Sequence, residues 1–353
     1  MLKPSFGKKG LVGLDIGSSS VKAVELRGKP GNLQLVSLGY EKLLPDCVVD
    51  GQIIELNSVS HAINKIFKEH QIKNDRVAAG VSGHSVIVKN IEVPLMSDEE
   101  LEESIDWHAE EHIPFDIADV SLDYQIVGSG PNALYVLMAA CKRDRVGNVK
   151  QVIQLAGKSP TVIDVDSFAL QNCFEVNYFP DPRQTLAILN IGASTMNINI
   201  LLGTKSVFTR DVTIGGNQFT GLLQKELGLS FDQAEDVKRG QPAPGNVDLQ
   251  EIESLLAASS ETLALEVKKT LDFYRTTADE NAGTVEKILI TGGGSKLRDL
   301  EAFLSERLEM PVERFDPFRQ IKVDNRRFDP DYIRELMPEM AVAVGLALRG
   351  VDA

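Results

Sequence analysis

Two short stretches, LDIGSSSVK at 14–22 and LNIGASTMN at 189–197, set small residues in a tight turn between apolar runs. In the first turn, backbone N–H groups at Gly17, Ser18 and Ser19 can point at an anion with no Cβ in the way. The second turn offers Gly192, Ala193, Ser194 and Thr195 in the same way. Phosphate binding fits both, although one copy alone reads equally well as an ordinary hairpin with a polar tip. Asp15 closes the first strand, where a carboxylate can hold the water shell of a magnesium ion on such phosphates. The second copy carries the neutral Asn190 at that place. A third stretch, ITGGGSKL at 290–297, runs from a strand into Gly292, Gly293 and Gly294 and then to Ser295 and Lys296. That suits close approach of a flat ring or a phosphate to the backbone and a helix start. A plain strand-to-helix connector explains one such turn, but not three in this order on a two-copy plan.

The elements that must hold these turns repeat as well. Residues 11–17 and 20–26 read as a strand and its return, a third strand follows near 34–40, and Val59, Ala62, Ile63, Ile66 and Phe67 mark a helix at 3.6-residue spacing. The second copy has strands at 186–191, 196–202 and 205–213 and then the helix GNQFTGLLQKELGLS. Duplication over about half a chain implies two similar domains facing each other across a cleft. We therefore expect an α/β fold of domains 1–84 (completed by 160–182 and 338–353), 85–159 and 183–337. The middle one is an inserted α+β subdomain, and the last carries a mainly helical insertion at 221–286. The insertion at 85–159 contains a helix whose Ser97 and Glu100 fit a capping box, with Leu101, Ile105 and Ala109 as its apolar stripe.

Composition narrows the function. The chain has 353 residues, a formal net charge of −14 and 25% charged residues, which argues against nucleic acid and against direct adsorption to an anionic membrane. Cys47, Cys141 and Cys173 show no CxxC spacing, which points to reduced thiols in a cytoplasmic protein. The first ten residues have lysines but no apolar leader core. MAVAVGLAL at 340–348 is too short to span a bilayer and reads as a buried helix. His108 and His112 share a helix face, but without a third ligand they make no metal site. The acidic run SDEELEE is accounted for as a helix start.

These motifs resemble the actin-like ATPase superfamily, which includes actin, Hsp70, sugar kinases and the cell-division protein FtsA. The resemblance implies two duplicated RNase H-like domains flanking a nucleotide cleft, with an FtsA-like inserted subdomain. LDIGSSSVK resembles the first phosphate motif, bringing in Ser20 and Lys22, LNIGASTMN the second, and ITGGGSKL the adenosine motif. TIGGNQFT resembles the two-glycine turn, Gly215 and Gly216, and FDQAEDVKRG the adenosine-contacting helix, with Glu235 and Lys238. The implied cofactors are ATP and Mg2+, with Asp15 and Asn190 reaching the metal through water. The family's second motif usually begins with Asp, so Asn190 implies that binding survives better than catalysis, because a neutral acceptor is worth about half a charged one. VIDVDSFALQN occupies the connecting segment that supplies a catalytic polar residue, making Asp164 and Asp166 the candidates. Asp166 or Ser167 also stands where a helix N-cap would.

Within the superfamily, DWHAEEHIPFDIADVSLDY, AEDVKRG, GGGSKLRDL and PEMAVAVGLALRGV are similar to the type IV pilus assembly family, and this resemblance covers essentially the whole chain. It implies a scaffold or switch with slow or absent hydrolysis, held at the inner membrane through partners. The expected partner is the short cytoplasmic N-terminus of the membrane protein PilN, in a groove between the first domain and its insertion. Other pilus components, motor ATPases and self-association stay open. Trp107, Ile113, Pro114 and Phe115 are the candidate partner surface, with core packing the other reading of Trp107. A small-molecule kinase or a polymerising actin-like ATPase of the same fold are the alternatives.

Overall fold

The computed structural model describes residues 10–245, 247–277 and 283–351. The N-terminal stretch judged to lack a leader core lies, Gly10 apart, outside the described residues. So do 278–282 of the helical insertion and 352–353 of the first domain.

The first half opens with a meander, β1 (Val12–Ile16), β2 (Ser20–Arg27) and β3 (Leu33–Lys42), followed by the small pair β4 (Val48–Val49) and β5 (Gln52–Ile53), α1 (Leu56–Glu69) and β6 (Arg76–Val81). An inserted unit comes next: β7 (Val86–Pro94), α2 (Asp98–Glu110), β8 (Val120–Ser129) and β9 (Ala133–Lys142). The chain returns through α3 (Arg143–Leu155), β10 (Ser159–Val165) and α4 (Asp166–Tyr178). A second meander, β11 (Thr185–Ile191), β12 (Met196–Leu202) and β13 (Lys205–Val212), leads to α5 (Gly216–Leu227), α6 (Phe231–Lys238) and α7 (Leu249–Thr277). The end comprises β14 (Lys287–Thr291), α8 (Leu300–Leu308), β15 (Val312–Arg314), β16 (Ile321–Lys322), α9 (Pro330–Leu336) and α10 (Ala341–Leu348).

Sheet order makes the duplication physical. The first sheet runs β10-β6-β1-β2-β3-β16 and the second β13-β12-β11-β14-β15. In each, an antiparallel meander is extended by parallel strands beside its first member. Strands at such a centre are covered on both faces and read as continuous apolar runs, as TLAILNI does in β11, where all but Asn190 are buried. The inserted unit forms its own sheet, β7-β9-β8, whose inner face packs on Leu101, Ile105 and Ala109 of α2. The Ser97–Glu100 capping box closes α2 at its start. β16 pairs with β3, so residues 321–322 join the first sheet although sequence assigns 183–337 to the second domain.

One helix fastens the centre. α10 has Ala341 to Ala347 all buried, as a helix apolar on every side must be. It lies against β1 and α4, and its backbone approaches theirs so closely that only glycine fits at the crossings. A Cβ on Gly13 would stand 2.0 Å from the carbonyl oxygen of Ala343. The three cysteines are free and buried in the surrounding cores.

Candidate functional site

The β1–β2 hairpin closes with the Gly17 N–H donating to the Ser20 carbonyl at 2.9 Å, and the β11–β12 hairpin with Gly192 to Thr195 at 2.8 Å. Both copies thus make the same turn, bringing Ser18 and Ser19 to one tip and Ala193 and Ser194 to the other. The second tip is built into its neighbour. The N–H of Gly216 donates to the Gly192 carbonyl at 2.9 Å and that of Asn217 to Ala193 at 2.8 Å. A Cβ on Gly215 would stand 2.5 Å from the Ala193 oxygen, so no larger residue fits. The start of α5 is therefore capped by hairpin carbonyls.

The triple-glycine turn joins this cluster. Gly292 has φ 86°, a conformation that L side chains avoid, and a Cβ there would meet the Asn190 Oδ1 at 2.6 Å and the Ile191 carbonyl oxygen at 2.4 Å. Gly294 lies against Ile191, and its Cα is 3.7 Å from where Gly216 would carry a Cβ. The helix start expected at 292–296 is instead a 3-10 turn over Gly293–Lys296. α8 begins only at Leu300, because Asp299, at φ 59°, breaks the path between them. Close backbone approach remains, without a long helix dipole behind it.

Three lysines stand around these turns, each beside a carboxylate. Lys22 donates to Asp15 Oδ2 at 3.1 Å. Burial acts to lower its ammonium, but the charges of Asp15 and Glu339 outweigh burial and hold it above its usual range. Lys296 pairs with the buried Glu339 at 2.6 Å. Lys238 bonds Glu235, the Thr220 hydroxyl at 2.8 Å and the Gly216 carbonyl at 3.2 Å. Burial pushes the Glu235 carboxyl up, yet Lys238 and the bonds it accepts hold it below the carboxylate range. Glu235 and Lys238 thus face the first turn of α5 beside the glycine cluster.

The two candidate catalytic carboxylates part company. Asp164 lies beside Arg349 at 3.2 Å and accepts the Val165 N–H. Asp166 is the one beside Asp15: burial first, then the charge of Asp15, raises its carboxyl to about 7. It does not cap α4, whose N-cap is Val165 without a side-chain bond. It packs so tightly on β6 that a Cβ on Gly80 would stand 1.9 Å from its Oδ1.

The segment 107–115 does not form one surface. Trp107 is 66% exposed, its ring edge-on to His108, so the core-packing reading is overturned. Two positions beyond the inward Ile105, it sits about 200° around the helix. Ile113 is 6% exposed and belongs to the subdomain core, which corrects its assignment to a partner contact. Pro114 is exposed, and Phe115 is half-buried with the Lys142 ammonium over its ring at 4.5 Å.

Sequence reasoning missed Glu339. It is a lone acid directly before an all-apolar run, a visible signal.

Among the described residues, no three His, Cys, Asp or Glu side chains stand together as direct metal ligands, and no helix is long and apolar enough to cross a membrane. Glycine turns packed against one another, with Lys22, Lys238 and Lys296 around them, suit the phosphates of a nucleotide. Asp15, a carboxylate, and Asn190, a neutral amide, suit a hydrated cation held through water rather than directly.

The family model described as type IV pilus assembly protein PilM matches residues 13–351. A solved structure titled as a PilM-PilN type IV pilus biogenesis complex superposes with a TM-score of 0.87 at 31% identity, over 98% of this chain and 100% of that one. The ethanolamine utilization protein EutJ from Carboxydothermus hydrogenoformans follows at 0.58 and 14%, covering 97% and 90%. MreB5 of Spiroplasma citri bound to AMPPNP gives 0.54 and 15%, over 96% and 95%. These last two show the shared fold, the actin-like one.

Proposed function

From the membership of this chain in the type IV pilus assembly protein PilM family, we propose that it is an ATP-binding scaffold of pilus assembly. Its likeness to the PilM–PilN complex over 98% of the chain carries the reading, and the meeting of the glycine turns supports it. The residues of the two hairpin tips would hold the phosphates of ATP, and Gly292, Gly293, Gly294, Glu235 and Lys238 its adenosine end. Mg2+, held through water by Asp15 and Asn190, would supply charge neutralisation to the phosphates. The domain division read from sequence goes with this proposal.

The residues act mainly by binding. Lys22 and Lys296 can turn from Asp15 and Glu339 toward phosphate oxygens, exchanging one charge-assisted bond for another. Asp166, its carboxyl raised to about 7 by burial and Asp15, is about half protonated at neutral pH, and Asn190 adds no charge. The charge missing at Asn190 favours slow hydrolysis. Turnover of many ATP per second by the native chain would contradict this, whereas faster turnover on Asn190→Asp would support it.

The test is titration of purified protein with Mg·ATP. Lys22→Ala is expected to weaken binding about 10- to 100-fold, the worth of a charge-assisted bond of about 1.5–3 kcal/mol. Affinity unchanged by both Lys22→Ala and Gly292→Ala would remove the cleft from the reading.

PilN is the proposed partner, its cytoplasmic N-terminal peptide binding between the first domain and the insertion, which would hold the chain at the inner membrane. Trp107 on α2 and Phe115 beyond it are the exposed and half-buried aromatics of that segment of the insertion. Trp107→Ala should keep the fold, since Trp107 lies outside the core. It should weaken peptide binding at least fivefold, measured by fluorescence anisotropy; full affinity would take Trp107 out of the surface.

A further inference from the structure

At the end of β2 remote from its hairpin tip, three cations stand around one cavity without a carboxylate partner. The cavity measures about 400 Å³ and is lined by Glu25 and Arg27 of β2, Ser37 of β3, His70 and Lys73 beyond α1, and Arg327 after β16. Small-molecule sites span roughly 300–1,000 Å³. Arg27 lies five residues along β2 from Lys22, about 17 Å at the rise of a strand, so the cavity is separate from the nucleotide cleft.

Three distant parts of the chain build it. Glu25 pairs with Ser37 but Leu26 with Leu35, so Val36 is an extra residue bulged from the β2–β3 ladder. Its carbonyl accepts from Arg327 Nη2 at 3.0 Å, which fastens that guanidinium and leaves its remaining N–H groups for a ligand. Glu25 Oε2 accepts from Ser37 Oγ at 3.4 Å. The ring of His70 packs on Gly39 of β3, where an added Cβ would stand 2.9 Å from its Cδ2.

The charge balance points to an anion. The chain carries 51 acidic and 37 basic residues, and each lysine of the nucleotide site has a carboxylate beside it. Among the described residues, Arg27, Lys73 and Arg327 have none within ion-pair distance. Like charges gathered round one cavity repel, and an anion between them reverses the sign. A merely solvated rim would need neither the cavity nor the fastening of Arg327.

We propose that this cavity binds a small soluble molecule carrying a phosphate group, with Arg27, Lys73 and Arg327 on the phosphate and Glu25 accepting from a hydroxyl or amino group of the same molecule. Guanidinium forks match phosphate oxygens in pairs. Glu25 repels a bare anion, which selects a ligand with a donor beside its phosphate. The net charge of −14 opposes an anionic bilayer as the source of that phosphate. The proposal is independent of the nucleotide reading.

Titration of the full chain with pyrophosphate, in chelator so that no magnesium complex forms, tests it. Affinity is read from 15N amide shifts of Ser37 and Gln71, which pyrophosphate held in the cleft would not move. Arg27→Glu with Lys73→Glu is expected to weaken it at least tenfold, through lost charge-assisted bonds. Glu25→Gln should tighten it at least twofold, and Lys22→Ala should leave it unchanged. Arg27 and Lys73 are exposed, so the fold should survive; if the double variant does not fold, Arg27→Gln alone should weaken binding at least threefold. No shift at millimolar pyrophosphate, equal affinity after charge reversal, no gain on Glu25→Gln, or dependence on Lys22 overturns the proposal. Shifts seen only with phosphatidylglycerol vesicles overturn it too, because the phosphate would then be a lipid headgroup.

Discussion

Gly345→Ala is expected to cost about 3 kcal/mol or more of folding stability, or to prevent folding, measured as a shift of the urea midpoint. The added Cβ would stand 1.8 Å from the carbonyl oxygen of Ala169 and 2.4 Å from its carbon. Both are backbone atoms of α4, so no side chain can swing aside. On the opposite flank of α10, Gly13 presents the same contact from β1, with Ala343 and Ala347 at 2.0 and 2.4 Å from its added Cβ. The helix therefore cannot retreat from α4 without pressing into the sheet. Overpacking typically costs about 1–3 kcal/mol where neighbours can relax, and here they cannot. Gly147→Ala is the control. Gly147 is exposed within α3 and meets nothing within 4 Å, so there alanine should stabilise by about 0.5–1 kcal/mol. Equal effects at the two positions would contradict the packing described for α10.

The second large effect is pH-dependent. In the folded chain Asp166 keeps its proton to about 7, against an ordinary value of 3.8, because burial and the charge of Asp15 disfavour its ionised form. Below pH 3.8 folded and unfolded chains both hold the proton. Between there and 7 only the folded chain does, so this group lowers stability progressively across the interval and by a constant amount above it. Asp166→Asn removes that cost. Each tenfold difference in proton affinity between folded and unfolded chains is worth roughly 1.4 kcal/mol, so the variant should be more stable than the native chain by about 1–4 kcal/mol at pH 8. The advantage should shrink steadily as pH falls to 5. An advantage flat across that range would show that Asp166 ionises normally.

Much of the site was legible because it is local. A strand, a small-residue turn and a return strand specify a hairpin within about a dozen residues, and two matching copies specify the fold's symmetry. Asn190 stood out against Asp15 for the same reason. Asp164 and Asp166 could not be told apart, because what separates them is Arg349, from the far end of the chain. Trp107 and Ile113 were readable in principle. The stripe Leu101, Ile105, Ala109 puts position 107 on the opposite side, and Ile113 continues that stripe one turn on, past the end of α2.

The grip of α10 on β1 has a temporal side. Gly13 leaves the ribosome well before Ala343 in chain order, so the strand carrying Asp15 is made long before its helical lid exists. Until then its apolar face stays open to misassociation. Ribosomal pausing or chaperone occupancy should therefore matter most before Ala341–Leu348 has emerged, since that one short helix completes the centre.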